Sequence, residues 1–451
     1  MKSIVLILLL SVMANAKTEL QLPVKTHVFP NGLTLVVHED HGLPQISYHQ
    51  WFRVGSLNEK VGRTGLAHFF EHLLFRGTKK YPSDMVEGML QRNGALNNAF
   101  TSHEFTGYYI NIASNKLELI ADFESDRMRN LVFSKAIIDA EREVVKEERR
   151  MRLENSVSGS LREKLYEEAY KTHPLRWPVV GYMKDLNATA EADFKAFYDQ
   201  YYVPNNSVIV IVGDVKFSKA KDIVAKYYGS IPSRPLPLLE LPDEKPLGRP
   251  REFTVEKDVS AMTTFVHLPG AKLGEKDDAA LDLIVEILTG GFSSRLYQKM
   301  VYKNPIASYV SMGNNARNSL GDILFSIGFN PGVSASKGLS LVQQEMDRLK
   351  NEKVSDIELQ TAKNKRRLGF LESFETLDEK AQNIAFYMTV FGSIDPIYKQ
   401  LGNWESITVD DIQMAARKYL NYSMRTVVTA IPKSSEKKQL NDAPAAAAGG
   451  Q

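Results

Sequence analysis

The stretch FKAFYDQYYVPNNSVIVIVGDV, residues 194–215, passes from a helical pattern through a Tyr-rich turn into an apolar strand, and IQMAARKYLNYSMRTVVTAIP, residues 412–432, repeats that order. The two superpose at an offset of about 218 residues, from Phe194 to Ile412. Self-similarity at a fixed offset marks a repeated structural unit. Between them, SRPLPLLELPDEKPLGRP (233–250) carries prolines at 235, 237, 242, 246 and 250, a density that neither a helix nor a central strand accepts. The expected fold is therefore α+β. Two structurally related domains, 17–232 and 251–433, each a mainly antiparallel sheet packed with helices, are joined by the Pro-rich linker 233–250.

Working outward, VKTHVFPNGLTLVVHED (24–40) alternates around Asn31-Gly32 as a hairpin does, and a strand over Gln45 to Phe52 follows. A helix then starts after Thr64, which is placed to cap it, and Gly77 with Pro82 ends it. GALNNAFTSHEFTGYYINIA (94–113) has the composition of two strands with a short turn, and helical periodicity runs from Leu117 to Glu154.

Composition narrows the chemistry. With 43% hydrophobic and 24% charged residues over 451 positions, the chain is globular rather than disordered or collagen-like. A formal net charge of +2 gives no broad electrostatic basis for nucleic acid or acidic lipid. Residues 1–16, MKSIVLILLLSVMANA, have the layout of a cleavable signal peptide. Their apolar run is too short to span a hydrocarbon core of about 30 Å, so the expectation is export without a stable membrane anchor. The bacterial periplasm fits best. The low-complexity tail, 434–451, is expected to be disordered. With no cysteine in the chain, a bound metal must be held by His, Asp and Glu.

Such a set stands in GLAHFFEHLLF, residues 65–75. Positions i, i+3 and i+4 share a helix face, so His68, Glu71 and His72 project together. From these residues alone two readings stand: a pair of core histidines bonded to carbonyls, or two zinc ligands with a glutamate base in the H-x-x-E-H pattern. A second segment bears on the choice. In IIDAEREVVKEERRM (137–151), an apolar stripe of Ile137, Ile138, Val144, Val145 and Met151 has Glu141 and Glu148 at its centre, with Glu143 and Glu147 towards one edge. A cation explains two carboxylates on such a stripe: Glu148 as third ligand, Glu141 as a partner that orients a histidine.

These residues, with WFRVGSLNEKVGRTGLAHFFEHLLFRGT (51–78), NGALNNAFTSHEFTGYY (93–109) and LTGGFSSRLYQKMVYKN (288–304), resemble the pitrilysin and insulinase family of zinc peptidases, which includes the mitochondrial processing peptidase. The resemblance implies one Zn²⁺ per chain on His68, His72 and Glu148, with Glu71 as general base and Glu141 as the supporting acidic residue. Asn98, Ala99 and Thr101 match the strand that receives peptide substrates. The implied activity is a zinc-dependent endopeptidase acting on peptides or small unfolded polypeptides. The alternative is a non-catalytic scaffold or peptide-binding subunit of a larger complex. At the offset of 218, Glu286 and Gly290 stand where His68 and His72 stand, so the second domain lacks the ligands.

One departure matters. Family members complete on one chain carry an arginine and a tyrosine seven positions apart in the second half. Here Tyr309 matches the tyrosine, but Tyr302 stands at the arginine position with Lys303 beside it. The implied assembly is either a heterodimer with a homologous subunit supplying the arginine-tyrosine pair, or a homodimer in which Lys303 or Arg295 compensates. His103 and Glu104 are expected in a turn, His173 and Trp177 in loops or packing. His27, His38, His41, His49 and His267 lack a second ligand at metal spacing.

Overall fold

In the computed structural model, which describes Leu20, residues 22–245 and residues 248–433, Asn31-Gly32 turns the chain between β1 (Val24–Val28) and β2 (Thr34–Glu39). The expected signal peptide and C-terminal tail lie outside the described residues. β3 (Gln45–Phe52), β4 (Leu96–Thr101), β5 (Thr106–Ala113) and β6 (Ser207–Gly213) complete a six-stranded sheet of order β1-β2-β6-β3-β5-β4. Only the β2–β6 pair is parallel. The helices of this half are α1 (Leu66–Leu73), α2 (Ser83–Arg92), α3 (Leu117–Arg129), α4 (Lys135–Arg149), α5 (Val157–Ala169), α6 (Glu191–Tyr201) and α7 (Phe217–Tyr228), with short helical turns between some of them.

The second half builds β7 (Arg251–Lys257), β8 (Thr263–Gly270), β9 (Ala307–Asn315), β10 (Gly321–Phe329) and β11 (Thr426–Pro432) into the order β7-β11-β8-β10-β9. This is the first sheet without β1. β11 runs parallel to β7 as β6 does to β2, and β8 begins and ends 218 residues after β3. Its longer helices include α8 (Lys276–Thr289), α9 (Ala335–Asn351), α10 (Asp356–Glu372), α11 (Leu377–Phe391) and α12 (Val409–Tyr419). The fold is thus two related α+β units, and the Pro-rich residues 233–245 and 248–250 form neither helix nor strand.

The two halves exchange helices. β6 is apolar at almost every position because both of its faces are covered. Ile209 and Ile211 belong to the core beneath α1, α3 and α7, whereas Val208, Val210 and Val212 pack against Ala381, Ile384, Ala385 and Met388 of α11, from the other half. In return α5 of the first half lays Leu161 and Leu165 on Phe265, Val428 and Ala430 of the second sheet. Each large aliphatic side chain buried in this way contributes roughly 1.5–3 kcal/mol. Polar ties reinforce both contacts: Tyr166 of α5 and Tyr170 just after it donate to the buried Asp322 carboxylate at 3.0 and 3.4 Å, and Arg53 donates to the carbonyls of Thr389 and Met388 at the end of α11.

Local expectations needed three corrections. Thr64 does not cap α1; its hydroxyl donates to Asp185, and the Glu59 carboxylate receives the N–H groups of Gly65 and Ala67 at 2.9 and 2.8 Å. Burial pushes the Glu59 carboxyl up to about 8, so the cap rests on its two oxygens accepting these N–H bonds rather than on a negative charge, and a carboxyl group six residues upstream is invisible to a rule based on the adjacent residue. The helical periodicity from Leu117 to Glu154 resolves into separate helices with a break between Arg129 and Lys135, where Ser134 caps α4 by accepting the N–H of Ile137. On α4, Ile138 and Val145 are buried, but Val144, and Met151 in the turn just after α4, are exposed because that edge of the stripe opens onto a cavity and solvent.

His49, to which the sequence assigned no role, holds the exchange. Its Nδ1 accepts from Trp51 Nε1–H, so the proton sits on Nε2, 3.0 Å from Asp378 of α11. Burial lowers the His49 pKa, and the hydrogen bond from His49 holds Asp378 below the usual carboxylate range. A histidine whose folded pKa is depressed stabilises fully above its unfolded value of about 6.5 and loses that contribution as pH falls below it. Asp378 adds the same sign at lower pH. The thermal midpoint is expected to fall between pH 7 and pH 5, less steeply in His49→Gln; parallel curves for the two proteins over that range would contradict the assignment.

Candidate active site

α1 is amphipathic in the required sense. Leu66, Ala67, Phe69, Phe70 and Leu73 anchor it in the core, Phe69 on Phe194 and Phe70 on Tyr202 with ring centroids 4.6 and 4.3 Å apart. His68, Glu71 and His72 are left on the face that lines a cavity of about 1430 Å³. Gly65 opens the helix at φ +84°, with a would-be Cβ only 2.4 Å from the Val180 carbonyl oxygen, so no other residue fits there. α4 lies alongside, and its buried Ile138 and Val145 aim Glu141 and Glu148 at the two histidines.

The geometry is convergent. His72 Nε2 lies 3.0 Å from Glu148 Oε2, and His68 Nε2 lies 3.5 Å from Glu148 Oε1. His72 Nδ1 faces the buried Glu141 at 2.9 Å, which holds a proton on that nitrogen and makes Nε2 the atom that can ligate once its own proton is lost. Arg76, one turn further along, pairs with the other Glu141 oxygen. One potential ligand atom from each of His68, His72 and Glu148 lies within 4.8 Å of the others. A zinc tetrahedron with bonds of about 2.0–2.1 Å has edges near 3.3 Å, so this donor set fits the ion.

Electrostatics point the same way. Burial alone would depress His72, but the carboxylates of Glu141 and Glu148 outweigh it and raise its pKa to about 9. Burial would raise Glu148 and Glu141, but hydrogen bonds from His68 and His72 hold the first well below the usual carboxylate range, and those from His72 and Arg76 lower the second. The site favours positive charge, and the Arg152 guanidinium stands 2.9 Å from Glu148 Oε1.

Glu71 Oε2 accepts from Thr101 Oγ1 on β4 at 2.5 Å. β4 is the edge strand of its sheet, and Asn98, Ala99 and Thr101 all line the cavity. Tyr309 is not among the lining residues; it sits half-exposed on β9, and Tyr302 is exposed. Arg295 is held by Glu358 and Glu345. His103 and Glu104 form the β4–β5 turn, and His173 accepts the N–H of Leu175. The sequence reading missed Arg76, Arg152 and Arg162. Arg76 continues the spacing of four from His68 and His72, a signal that could have found it; Arg162 lines the cavity from α5, which only the tertiary fold brings there.

At the offset of 218 the second half answers the same positions differently: Glu286 for His68, Thr289 for Glu71, Gly290 for His72 and Arg366 for Glu148. Arg366 pairs with Asp282, lies 3.7 Å from Glu286 and stands over the Trp404 ring. Thr289 accepts the N–H of Met312 on β9, tying the end of α8 to that edge strand. A tethered guanidinium therefore occupies the place where the first half gathers metal-binding groups.

Residues 35–181 match the family described as Insulinase (Peptidase family M16), and residues 190–366 match Peptidase M16 inactive domain. His68, Glu71, His72, Glu141 and Glu148 all fall in the first of these. The chain is 29% identical over 436 residues to a Helicobacter pylori protein named zinc protease PqqE, covering 94% of this chain and 96% of that one. It is 25% identical over 418 residues to the mitochondrial-processing peptidase subunit beta of Saccharomyces cerevisiae, covering 87% of each. The crystal structure of a protease from Helicobacter pylori superposes with a TM-score of 0.87 at 27% identity, covering 91% of this chain and 100% of that one.

Two outcomes test the ligand set. Because His72 is protonated in the metal-free site at pH 7.5 and must lose that proton to ligate, zinc binding should release about one proton per chain; calorimetry in buffers of different ionisation enthalpy measures it, and no release would contradict the electrostatics. Glu148→Gln should lose at least tenfold in zinc affinity, whereas Glu147→Gln, whose side chain is 58% exposed and paired with Arg150, should retain it. Equal retention in both would remove Glu148 as a ligand.

Proposed function

The chain belongs to peptidase family M16, the insulinase family, and from that premise we propose that it is a zinc-dependent endopeptidase hydrolysing peptides or small unfolded polypeptides. The observation that carries this is the complete His68, His72 and Glu148 set with Glu71 beside it, open to a large cavity and one hydrogen bond from an edge strand. When bound, zinc supplies a water of near-neutral pKa and a Lewis acid for the scissile carbonyl.

The chain's own residues do the rest. Glu71, with Oε2 occupied by Thr101 and Oε1 without a hydrogen bond among the described residues, takes the water proton and returns it to the leaving amine. Glu141 and Arg76 fix the His72 tautomer and ring plane. An extended peptide adds to the free edge of β4 along Asn98, Ala99 and Thr101, held mostly by backbone hydrogen bonds, which gives affinity with wide side-chain tolerance. The cavity admits an extended segment more readily than a folded domain.

The match to an inactive domain concerns residues 190–366, which exclude the ligands and the base, so it does not favour the scaffold reading. Tyr309 does not line this cavity, so the reading gives it a substrate contact only in an assembly with a second chain. With Tyr302 at the arginine position and Arg295 already paired, that assembly is a homodimer or a heterodimer with a homologous subunit. The reading includes export to a bacterial periplasm, on the strength of residues 1–16.

Incubation of the purified mature chain with a mixed peptide library, with and without candidate homologous partners, tests the reading. Zinc-dependent cleavage should fall about 10²–10⁴-fold in Glu71→Gln while zinc content is unchanged. Absence of hydrolysis in every zinc-loaded assembly would overturn it.

A further inference from the structure

Among the described residues, the hydroxyl of Thr101 is the sole hydrogen-bond partner of the Glu71 carboxylate, and Glu71 takes part in no ion pair. A glutamate has three rotatable torsions, so a carboxylate without a fixed partner samples several positions at a cost of the order of 1–2 kcal/mol to localise. Thr101 is suited to do the fixing. Its β-branched side chain is stiff at χ1, and its backbone is the last position of β4, paired with Thr106, whose own hydroxyl is tied to the Val54 carbonyl at 2.8 Å. The contact takes one carboxylate oxygen and leaves the other without a hydrogen bond among the described residues, on a side chain that lines the cavity. It also joins two parts of the site that are far apart in sequence, since Thr101 lies on the edge strand that lines the cavity.

We propose that Thr101 is a positioning residue for the general base: its hydroxyl holds one oxygen of Glu71 so that the other is aimed at the water, and it makes the strand that receives the peptide also the strand that orients the base. The proposal rests on the reading of Glu71 as general base. It differs from a role in substrate binding alone, which would appear in KM.

Steady-state kinetics on an internally quenched peptide, with zinc content and melting temperature recorded, separate the possibilities for Thr101→Val, Thr101→Ser, Glu71→Gln and the Glu71→Gln, Thr101→Val double variant. Thr101→Val keeps the shape and removes the donor. It should lower kcat by about 10–100-fold, part of the full general-base contribution, with KM within about twofold and zinc content unchanged. Thr101→Ser should recover most of kcat, and Thr101→Val should add little in the Glu71→Gln background, as residues acting as a unit do. An unchanged kcat in Thr101→Val, a loss confined to KM, or a Thr101→Ser variant as slow as Thr101→Val would overturn the positioning role while leaving the peptidase reading intact. A wild-type chain inactive in every assembly would overturn both.

Discussion

Glu141 and Glu148 put two carboxylates against the His72 imidazole, one at each ring nitrogen, in the seam where α4 packs beside α1, and an unneutralised carboxylate in such a place costs several kcal/mol. Neutralisation is the constraint from which the arrangement of each half follows. In the first half Glu148 converges with the Nε2 atoms of His68 and His72, a set that can hold an ion. In the second half the same seam is filled by Arg366, held by Asp282 and Glu286 under Trp404. On the proposed zinc reading, the duplication keeps a positive charge at one topological position and changes its source, from an exchangeable ion held by His68, His72 and Glu148 to a guanidinium that is covalently part of the chain.

The difference extends to the edge strands. In the first half Glu71 meets β4 through a single hydroxyl, and the strand lines an open cavity. In the second half Thr289 accepts a backbone N–H of β9, and Asn314 of that strand is bonded to Asp278 and Asp282. That seam is closed by the protein itself. The exchanged helices give the open half its rigidity: α11 backs the first sheet while α5, whose other side lines the cavity, is bolted to the second sheet through Asp322. Arg162, Glu163 and Tyr166 therefore face the site from a helix whose position the other half determines.

Much of this was legible in the sequence because local periodicity and covalent spacing carry it. The 218-residue offset foretold the matching sheets, the H-x-x-E-H spacing put three groups on one face of α1, and the stripe on α4 singled out Glu141 and Glu148 from Glu143 and Glu147. What was not legible depends on partners remote in sequence. The Glu59 cap of α1 and the break before Ser134 are of this kind, as are the helix exchange and the tie of His49 to Asp378 across 329 residues. Exposure of Val144 and Met151 is likewise tertiary: a helical wheel shows which residues share a face, not where that face meets a cavity. The arginine replacement was within reach, since the offset that gave Glu286 and Gly290 also pairs Glu148 with Arg366.

The most direct test of this account is an anomalous difference map recorded at the zinc edge from crystals of the zinc-loaded protein. The account predicts one peak per chain, within bonding reach of His68, His72 and Glu148, and no density at the seam occupied by Arg366. A peak of equal height in the second half, or none between the two histidines and Glu148, would contradict it.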